Sequence, residues 1–303
     1  MQGIVLRSTG SFYDVLADNG VKYNCKVRGK IRLEGIKETN PVAVGDKVEF
    51  DPEHEVGSIT AILPRTNHML RRSVKKTGHS HVLAANIDQA MVIATLAFPR
   101  TSLGFIDRFL VAAESFRIPQ VVVFNKKDLL DDESLAYQQK LIDTYKRIGV
   151  HALSISANKD ASAVAELLSA KITLVAGHSG VGKSTLLNTI DPSLDQKTGE
   201  VSDFSSKGTH TTTFAEMFQL DNKTFVIDTP GVKEWGLVDM EDQEISDYFP
   251  EMRDLRLSCK FGSKCLHLNE PKCAIIEAVR TGEIVLSRYE SYVGMLTEDD
   301  NRK

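Results

Sequence analysis

The fold of the central part of this chain is decided by the stretch Gly177-His178-Ser179-Gly180-Val181-Gly182-Lys183-Ser184. It fits the pattern Gly-x-x-x-x-Gly-Lys-Ser, follows an apolar run at residues 171–176 and precedes a helical pattern at residues 183–190. Glycines let backbone N–H groups close around phosphates, and the helix N-terminus adds a favourable dipole. We therefore expect these residues and Thr185 to bind nucleotide phosphates, with Lys183 on the β- and γ-phosphates and Ser184 on Mg²⁺.

A second motif, Asn125-Lys126-Lys127-Asp128, indicates which base the bound nucleotide carries. It directly follows the apolar run at residues 119–124, and ligands of α/β sheets bind at such strand ends. The Asp128 carboxylate can accept hydrogen bonds from guanine N1 and the 2-amino group, whereas adenine would leave it unsatisfied. Alone the motif could be a solvated turn. Combined with the phosphate loop it predicts a guanine nucleotide.

Ser156 and Ala157 follow the next predicted strand. In GTPases, which this arrangement resembles, the backbone of that segment meets guanine O6. The dipeptide is a weak signal by itself, and it gains meaning only because four patterns fall on successive strand ends. We expect both residues to contribute to nucleotide binding.

The segment Asp228-Thr229-Pro230-Gly231 follows a further apolar run. Asp228 is placed to hold Mg²⁺ through water, and the N–H of Gly231 would reach the γ-phosphate. Ras-like GTPases continue with a glutamine that orients the attacking water, but this chain has Val232. Because valine neither donates nor accepts a hydrogen bond, we expect unaided GTP hydrolysis to be slow.

A threonine-rich run at residues 207–213 is the predicted switch I. We expect Thr212 to bind Mg²⁺ when GTP is present. His210, in the same run, could be brought over the γ-phosphate when the loop orders, and a histidine can orient or deprotonate water near neutral pH. An exposed loop histidine without a role is the alternative, and the residues alone leave both readings open.

These motifs occur in an unusual order. A GTPase domain usually begins with the phosphate loop and ends with the guanine motif, whereas here the guanine motif comes first. A domain whose termini lie close together can be cut elsewhere and rejoined without losing its contacts. Apolar strand runs alternate with helical spacing, which indicates a doubly wound α/β sheet. We therefore predict a circularly permuted P-loop GTPase domain at residues 85–233 of a multidomain protein.

Residues 1–63 show five short strand patterns and no helical stretch, which predicts a small β-barrel, an OB-fold. Barrels of this kind often bind RNA, although a barrel that only packs on its neighbour is the alternative. Residues 64–84 are predicted to be an exposed basic linker, because their periodicity is poor and they contain no acid. Its cations are Arg65, Arg71, Arg72, Lys75 and Lys76. We expect them to contact phosphates, a merely solvated linker being the alternative.

Residues 234–303 are predicted to be a mostly helical zinc-binding domain. Cys259, Cys265, His267 and Cys273 form a full tetrahedral set for one structural Zn²⁺ and leave no position for a catalytic water. The spacing differs from the common Cys-x2-Cys knuckle, so buried free cysteines with a chance histidine are the alternative. Basic residues surround the set and could meet RNA phosphates or form a solvated face: Arg253, Arg256, Lys260, Lys264 and Lys272.

Composition bounds these hypotheses. The 303 residues, 42% of them hydrophobic and 26% charged, are typical of a globular protein with two or three domains. Neither a secretory signal nor a membrane-length apolar run is visible, so we expect a cytoplasmic location, no membrane partner and no disulfides among the four cysteines. The formal net charge of −4 disfavours nucleic-acid binding by bulk charge, so any RNA contact would need local basic patches.

Together, these motifs resemble the RsgA (YjeQ/YloQ) family of ribosome small-subunit-dependent GTPases over nearly the whole chain. The resemblance implies a monomer that binds GTP or GDP with Mg²⁺ and assists late assembly of the small (30S) subunit on 16S rRNA. It also implies that the subunit stimulates the GTPase and that His210 is catalytic there. The competing hypotheses are an RNA-binding module in which GTP only sets affinity, a permuted GTPase of the large subunit, and a metabolic phosphoryl-transfer enzyme.

Overall fold

The N-terminal region is a closed five-stranded barrel. The computed structural model describes residues 1–28, 41–52, 56–72, 80–194, 215–229 and 240–297. The barrel strands are β1 (Gln2–Ser8), β2 (Tyr13–Ala17), β3 (Lys22–Val27), β4 (Lys47–Asp51) and β5 (Gly57–Ile62). They pair in the order β1-β2-β3-β5-β4, and β4 returns to β1. Alternating apolar residues such as Val5, Val15 and Phe50 fill the interior, which confirms the predicted barrel.

The predicted exposed linker at residues 64–84 is wrong in its structure, because much of it forms a hairpin. Strands β6 (His68–Arg72) and β7 (Ser80–Ala85) pair antiparallel, and Met69 is fully buried. The side chain of Arg65 is 8% exposed and forms an ion pair with Asp46 of the barrel at 2.7 Å. The acidic partner of Arg65 therefore comes from the barrel, and counting the charges within residues 64–84 cannot detect it. Lys75 and Lys76 lie outside the described residues, and so do the side chains of Arg71 and Arg72.

The central region is a doubly wound sheet. Its strands are β8 (Gln89–Ala94), β9 (Gln120–Phe124), β10 (His151–Ser154), β11 (Ile172–Ala176), β12 (Glu216–Gln219) and β13 (Phe225–Asp228). They lie in the order β10-β9-β8-β11-β13-β12, and all neighbours are parallel except β12 and β13. The helices are α1 (Leu103–Ser115), α2 (Asp132–Arg147), α3 (Ser162–Leu168) and α4 (Lys183–Ile190). Both faces of the parallel strands are buried, as their continuous apolar runs predict.

One strand of the barrel also belongs to the central sheet. β1 pairs antiparallel with β12, with Arg7 opposite Glu216, and so the two sheets form one continuous eleven-stranded sheet. In the same register Glu216 lies opposite Asp228 of β13. The barrel is therefore joined by main-chain pairing to the strand that neighbours the Asp228 motif.

The C-terminal region is mostly helical and packs on α1. It contains α5 (Pro250–Arg253), α6 (Ala274–Thr281), α7 (Leu286–Thr297) and short 3₁₀ turns at Ile245–Tyr248, Leu255–Ser258 and Gly262–Lys264. Val111 of α1 lies in the same apolar cluster as Phe249 and Tyr292. The buried guanidinium of Arg288 bridges Asp107 of α1, at 2.5 Å, and Glu251 of α5, at 2.7 Å. None of the helices in the described part of the chain has the length and apolar character needed to cross a membrane.

Candidate nucleotide site and metal centre

Asn125 joins three loops of the candidate nucleotide site. Its side chain is buried directly after β9. The Nδ2 atom donates to the carbonyl of Val181 in the phosphate loop at 2.8 Å, and Oδ1 accepts from the N–H of Ala157 at 2.9 Å. The sequence-predicted guanine motif, the Ser156-Ala157 pair and the phosphate loop are therefore brought together at one sheet edge. The N–H of Ala157 is engaged with Asn125, so its contribution to base binding would act through that side chain.

Asp128 is held by the Ser156 segment. Its N–H donates to Ser156 Oγ at 3.1 Å, and the adjacent Lys127 N–H donates to the carbonyl of Ile155 at 3.0 Å. Lys159 Nζ lies 3.4 Å from the Asp128 carboxylate. A second hydrogen bond, from the Ser156 side chain to the Asp128 carboxylate, is the main cause of the lowered pKa of Asp128, and Lys159 adds to it. Asp128 is therefore an ionised acceptor at neutral pH, which the two donors of guanine require.

Two glycines of the phosphate loop are needed for close contacts. Gly177 has a φ of 152°, and a Cβ there would lie 2.5 Å from the carbonyl oxygen of Ile93. Gly182, at the start of α4, has a φ of 97°, and a Cβ would lie 2.4 Å from Asn125 Nδ2. Any side chain at Gly182 would therefore push apart the loops that Asn125 joins.

Lys183 at the start of α4 and Asp228 at the end of β13 interact electrostatically. Lys183 Nζ donates to the carbonyls of Gly177, at 2.7 Å, and His178, at 3.4 Å. Burial lowers the pKa of Lys183 and raises that of Asp228, and each charge opposes the shift of the other. Asp228 Oδ1 is buried and has no hydrogen-bond partner among the described residues. A buried, unpartnered carboxylate oxygen beside a phosphate-loop lysine fits the role of a group that holds Mg²⁺ through water.

The remaining predicted site residues divide into two groups. Lys126 has a left-handed backbone and Ser184 lies in the first turn of α4, both at the same edge of the sheet. Gly231, with Val232, Thr212 and His210, lies outside the described residues, so their roles stay predictions. Sequence reasoning missed Lys159, whose signal was its position three residues after Ser156.

Phe105 of α1 is a second residue near the site that the sequence patterns did not indicate. The ring of Phe105 lies against that of His178, with centroids 3.9 Å apart. Burial is the main cause of a lowered pKa at His178, and the charge of Lys183 adds to it, so the imidazole is neutral at neutral pH. Phe105 carried no signal in the sequence, because its apolar spacing is that of any core helix.

The four predicted metal ligands converge. Cys259, Cys265, His267 and Cys273 are all buried, and their ligand atoms lie within 4.8 Å of one another. Cys259 Sγ is 3.7 Å from Cys273 Sγ, and His267 Nδ1 is 3.5 Å and 3.3 Å from these two sulfurs. Tetrahedral Zn²⁺ with Zn–S bonds of about 2.3 Å needs sulfurs about 3.8 Å apart, so the cluster fits that ion.

The surroundings of the cluster agree with a metal. Burial lowers the pKa of His267 to about 4, which keeps the imidazole neutral, as a metal ligand must be. Burial also raises the pKa of Cys273 to about 12, a shift that a bound cation would reverse. The Glu270 carboxylate accepts from the N–H groups of Leu266 and Leu268, and Tyr289 donates to the carbonyl of His267 at 2.6 Å. The residues around the cluster thus hold its backbone in place.

Two of the five basic residues near the cluster are committed to ion pairs. Arg256 is largely buried and paired with Asp247, and Arg253 is paired with Glu114 of α1. Lys260, Lys264 and Lys272 are exposed. The predicted phosphate-contacting face of this region is therefore reduced to these lysines.

Known proteins are similar to this chain over nearly its whole length. The family model described as RsgA GTPase matches residues 62–238, and that of the RsgA N-terminal domain matches residues 2–59. The small ribosomal subunit biogenesis GTPase RsgA of Christiangramia forsetii is 48% identical over 308 residues, which cover 99% of this chain and 98% of the relative. RsgA 2 of Bacteroides thetaiotaomicron is 47% identical over 306 residues, covering 100% and 98%.

Solved structures agree with the sequence relatives. YjeQ from Thermotoga maritima superimposes with a TM-score of 0.76 at 35% identity, covering 100% of this chain and 99% of the other. YloQ, described as a circularly permuted GTPase, gives a TM-score of 0.73 at 31% identity, covering 100% and 96%. The similarity thus extends over the full length of the chain, and the chain belongs to the RsgA GTPase family.

Proposed function

We propose that this protein assists late maturation of the small ribosomal subunit as a cytoplasmic, monomeric GTPase. It binds 16S rRNA and hydrolyses GTP slowly until the subunit stimulates it. The observation that carries the enzymatic part is the pair of hydrogen bonds through which Asn125 holds the guanine motif against the phosphate loop. The names of the relatives with 47–48% identity support the ribosomal part.

In this proposal the nucleotide spans the sheet edge from Asp128 to Lys183. Asp128 reads guanine N1 and the 2-amino group, and the adjacent lysines flank the base. The backbone of residues 177–182 cradles the phosphates, and Lys183 turns from its carbonyl partners to the β- and γ-phosphates. Ser184, Asp228 and Thr212 are the residues that would hold Mg²⁺. The Cys₃His cluster would hold one structural Zn²⁺, which keeps the C-terminal region rigid.

RNA contact is proposed through local basic patches, because the net charge of −4 gives no general attraction. The first candidate set is the cations at residues 71–76, which have no acidic residue near them in the sequence: Arg71, Arg72, Lys75 and Lys76. The exposed lysines around the metal cluster form another.

Slow unaided hydrolysis follows from the residue after Gly231. Val232 cannot position water, and so the attacking water needs another group. We propose His210, in switch I, as that group once the subunit orders the loop. A positioned general base contributes about 10²–10⁴-fold, which is a suitable range for a GTPase that waits for its partner.

GTP turnover with and without purified small subunits tests this proposal, with large subunits as the control. We expect small subunits to raise turnover and large subunits to leave it unchanged. His210→Ala should keep nucleotide affinity and lose about 100-fold or more of the stimulated rate. If turnover is equal with and without small subunits, GTP only sets affinity. Full stimulated turnover in His210→Ala would assign the water-positioning group to the ribosome instead.

A further inference from the structure

The loop between β8 and α1, residues 95–101, is held in place by hydrogen bonds within the loop. The N–H of Thr95 donates to Thr101 Oγ1 at 3.1 Å, and the N–H of Thr101 donates back to the carbonyl of Thr95 at 2.8 Å. Thr95 Oγ1 also donates to the carbonyl of Pro99. The residues at the tip of this loop, Phe98 and Pro99, are therefore fixed in place by its base.

This 95–101 loop touches both halves of the nucleotide site. Lys126 Nζ, in the guanine motif, donates to the carbonyl of Phe98. On the other side Pro99 borders the phosphate loop, since a Cβ on Gly180 would lie 3.3 Å from Pro99 Cδ. The loop tip thus lies between Lys126 of the guanine motif and Gly180 of the phosphate loop, which is the level of the ribose in a nucleotide spanning the two motifs.

Phe98 is unusual at that position. It is 74% exposed, the second most exposed of the large apolar side chains among the described residues, after Leu257. Its φ of 55° is in the left-handed region, which non-glycine residues rarely adopt. Strained backbone that the surrounding structure enforces is typical of ligand sites. An exposed aromatic ring on a backbone held in this way, at the rim of a binding site, is an apolar surface that a ligand can cover.

We propose that Phe98 packs against the ribose of the bound guanine nucleotide and slows its release, as a residue that positions GTP between the base and phosphate subsites. This inference rests on the nucleotide site described under Proposed function. The occupant is the ribose because Lys126 and Gly180 already bracket the loop tip from the base side and the phosphate side. Both GTP and GDP carry the ribose, and so both should be affected.

Calorimetric titration of Phe98→Ala with GDP and with an acyclic guanine nucleotide diphosphate that lacks the ribose ring tests the proposal. Loss of the ring should weaken GDP binding about five- to tenfold, as expected when part of a phenylalanine stays uncovered. Binding of the acyclic diphosphate should change less than twofold. Phe98→Tyr should keep the affinity of the unaltered protein for GDP. The matched control is Tyr137→Ala, an exposed aromatic of α2 that should change neither affinity.

Two results would overturn the proposal. One is GDP affinity within twofold of the unaltered protein in Phe98→Ala, and the other is an equal loss for both ligands. Asp128→Asn, measured in parallel, separates this failure from failure of the site itself. Weaker GDP binding in Asp128→Asn alone leaves the guanine site standing without Phe98, whereas unchanged binding in Asp128→Asn removes the site on which the proposal depends.

Discussion

Replacing Arg288 by Met should release the C-terminal region from the GTP-binding sheet. The guanidinium is 3% exposed and bridges Asp107 and Glu251. Its Cζ atom also lies 4.6 Å from the ring centroid of Phe249. Methionine keeps the apolar stem, and so the change removes the charge with little loss of packing. Asp107, which is 1% exposed, then keeps its bond from Tyr145 at 2.9 Å but loses its oppositely charged partner.

The magnitude follows from the uncompensated charge. Breaking a buried ion pair by removing one partner costs about 3–5 kcal/mol. Since about 1.4 kcal/mol corresponds to a factor of ten, the population of the undocked C-terminal region should rise about 10²–10³·⁵-fold. Hydrogen exchange measured by mass spectrometry should show this loss of protection in α7, while peptides of β8 in the sheet stay protected.

Two further variants decide whether the buried charge is the cause. Arg280→Met removes an exposed pair with Glu277 on α6 and should cost less than about 0.5 kcal/mol. Asp107→Asn combined with Arg288→Met removes the arginine and the more deeply buried of its two carboxylate charges. Only Glu251, whose side chain is 12% exposed, stays unpaired, so part of the protection should return. Unchanged exchange of α7 in Arg288→Met would refute the reasoning, and so would an equal effect in Arg280→Met.

Two other changes probe the nucleotide loop and the metal cluster. Gly182→Ala should weaken nucleotide binding at least about tenfold by calorimetry, because its Cβ would meet Asn125 Nδ2 at 2.4 Å and a φ of 97° is strained for alanine. The control is Gly149→Ala. Gly149 also has a left-handed backbone but lies in open space, so this change should leave the nucleotide affinity unchanged. Cys265→Ser should abolish the one zinc per chain expected from elemental analysis and deprotect α7, whereas Cys25→Ser, in the barrel core, should keep the zinc. A fully folded, zinc-free protein after chelation would contradict the structural role of the metal.

Motifs with local chemistry were predictable from the sequence. The five barrel strands within residues 1–63 were predicted, because alternation of apolar and polar residues reports directly on a half-buried strand. The helix at Lys183–Ile190 and the four-residue metal cluster were also predicted, since spacing and residue type define them. These features depend on a few neighbouring residues or on ligand chemistry that admits few alternatives.

Features that depend on distant partners were not predictable. Nothing local indicates that Arg65 pairs with Asp46, and the hairpin at β6 and β7 was therefore read as a linker. The pairing of β1 with β12 joins segments about 200 residues apart, and no periodicity records it. Phe98 was also missed, because its exposure and left-handed backbone exist only in the folded loop.

The central claim is that Asp128 and the loop joined to it by Ser156 form a guanine site. A change in the base preference of the protein tests this claim most directly. Asp128→Asn replaces an acceptor by a group that can donate to the 2-oxo group of xanthine. Calorimetry with GTP and xanthosine triphosphate should show weaker binding of GTP and tighter binding of the xanthine nucleotide than in the unaltered protein. Unaltered GTP affinity together with no gain for xanthosine triphosphate would contradict the assignment of the site.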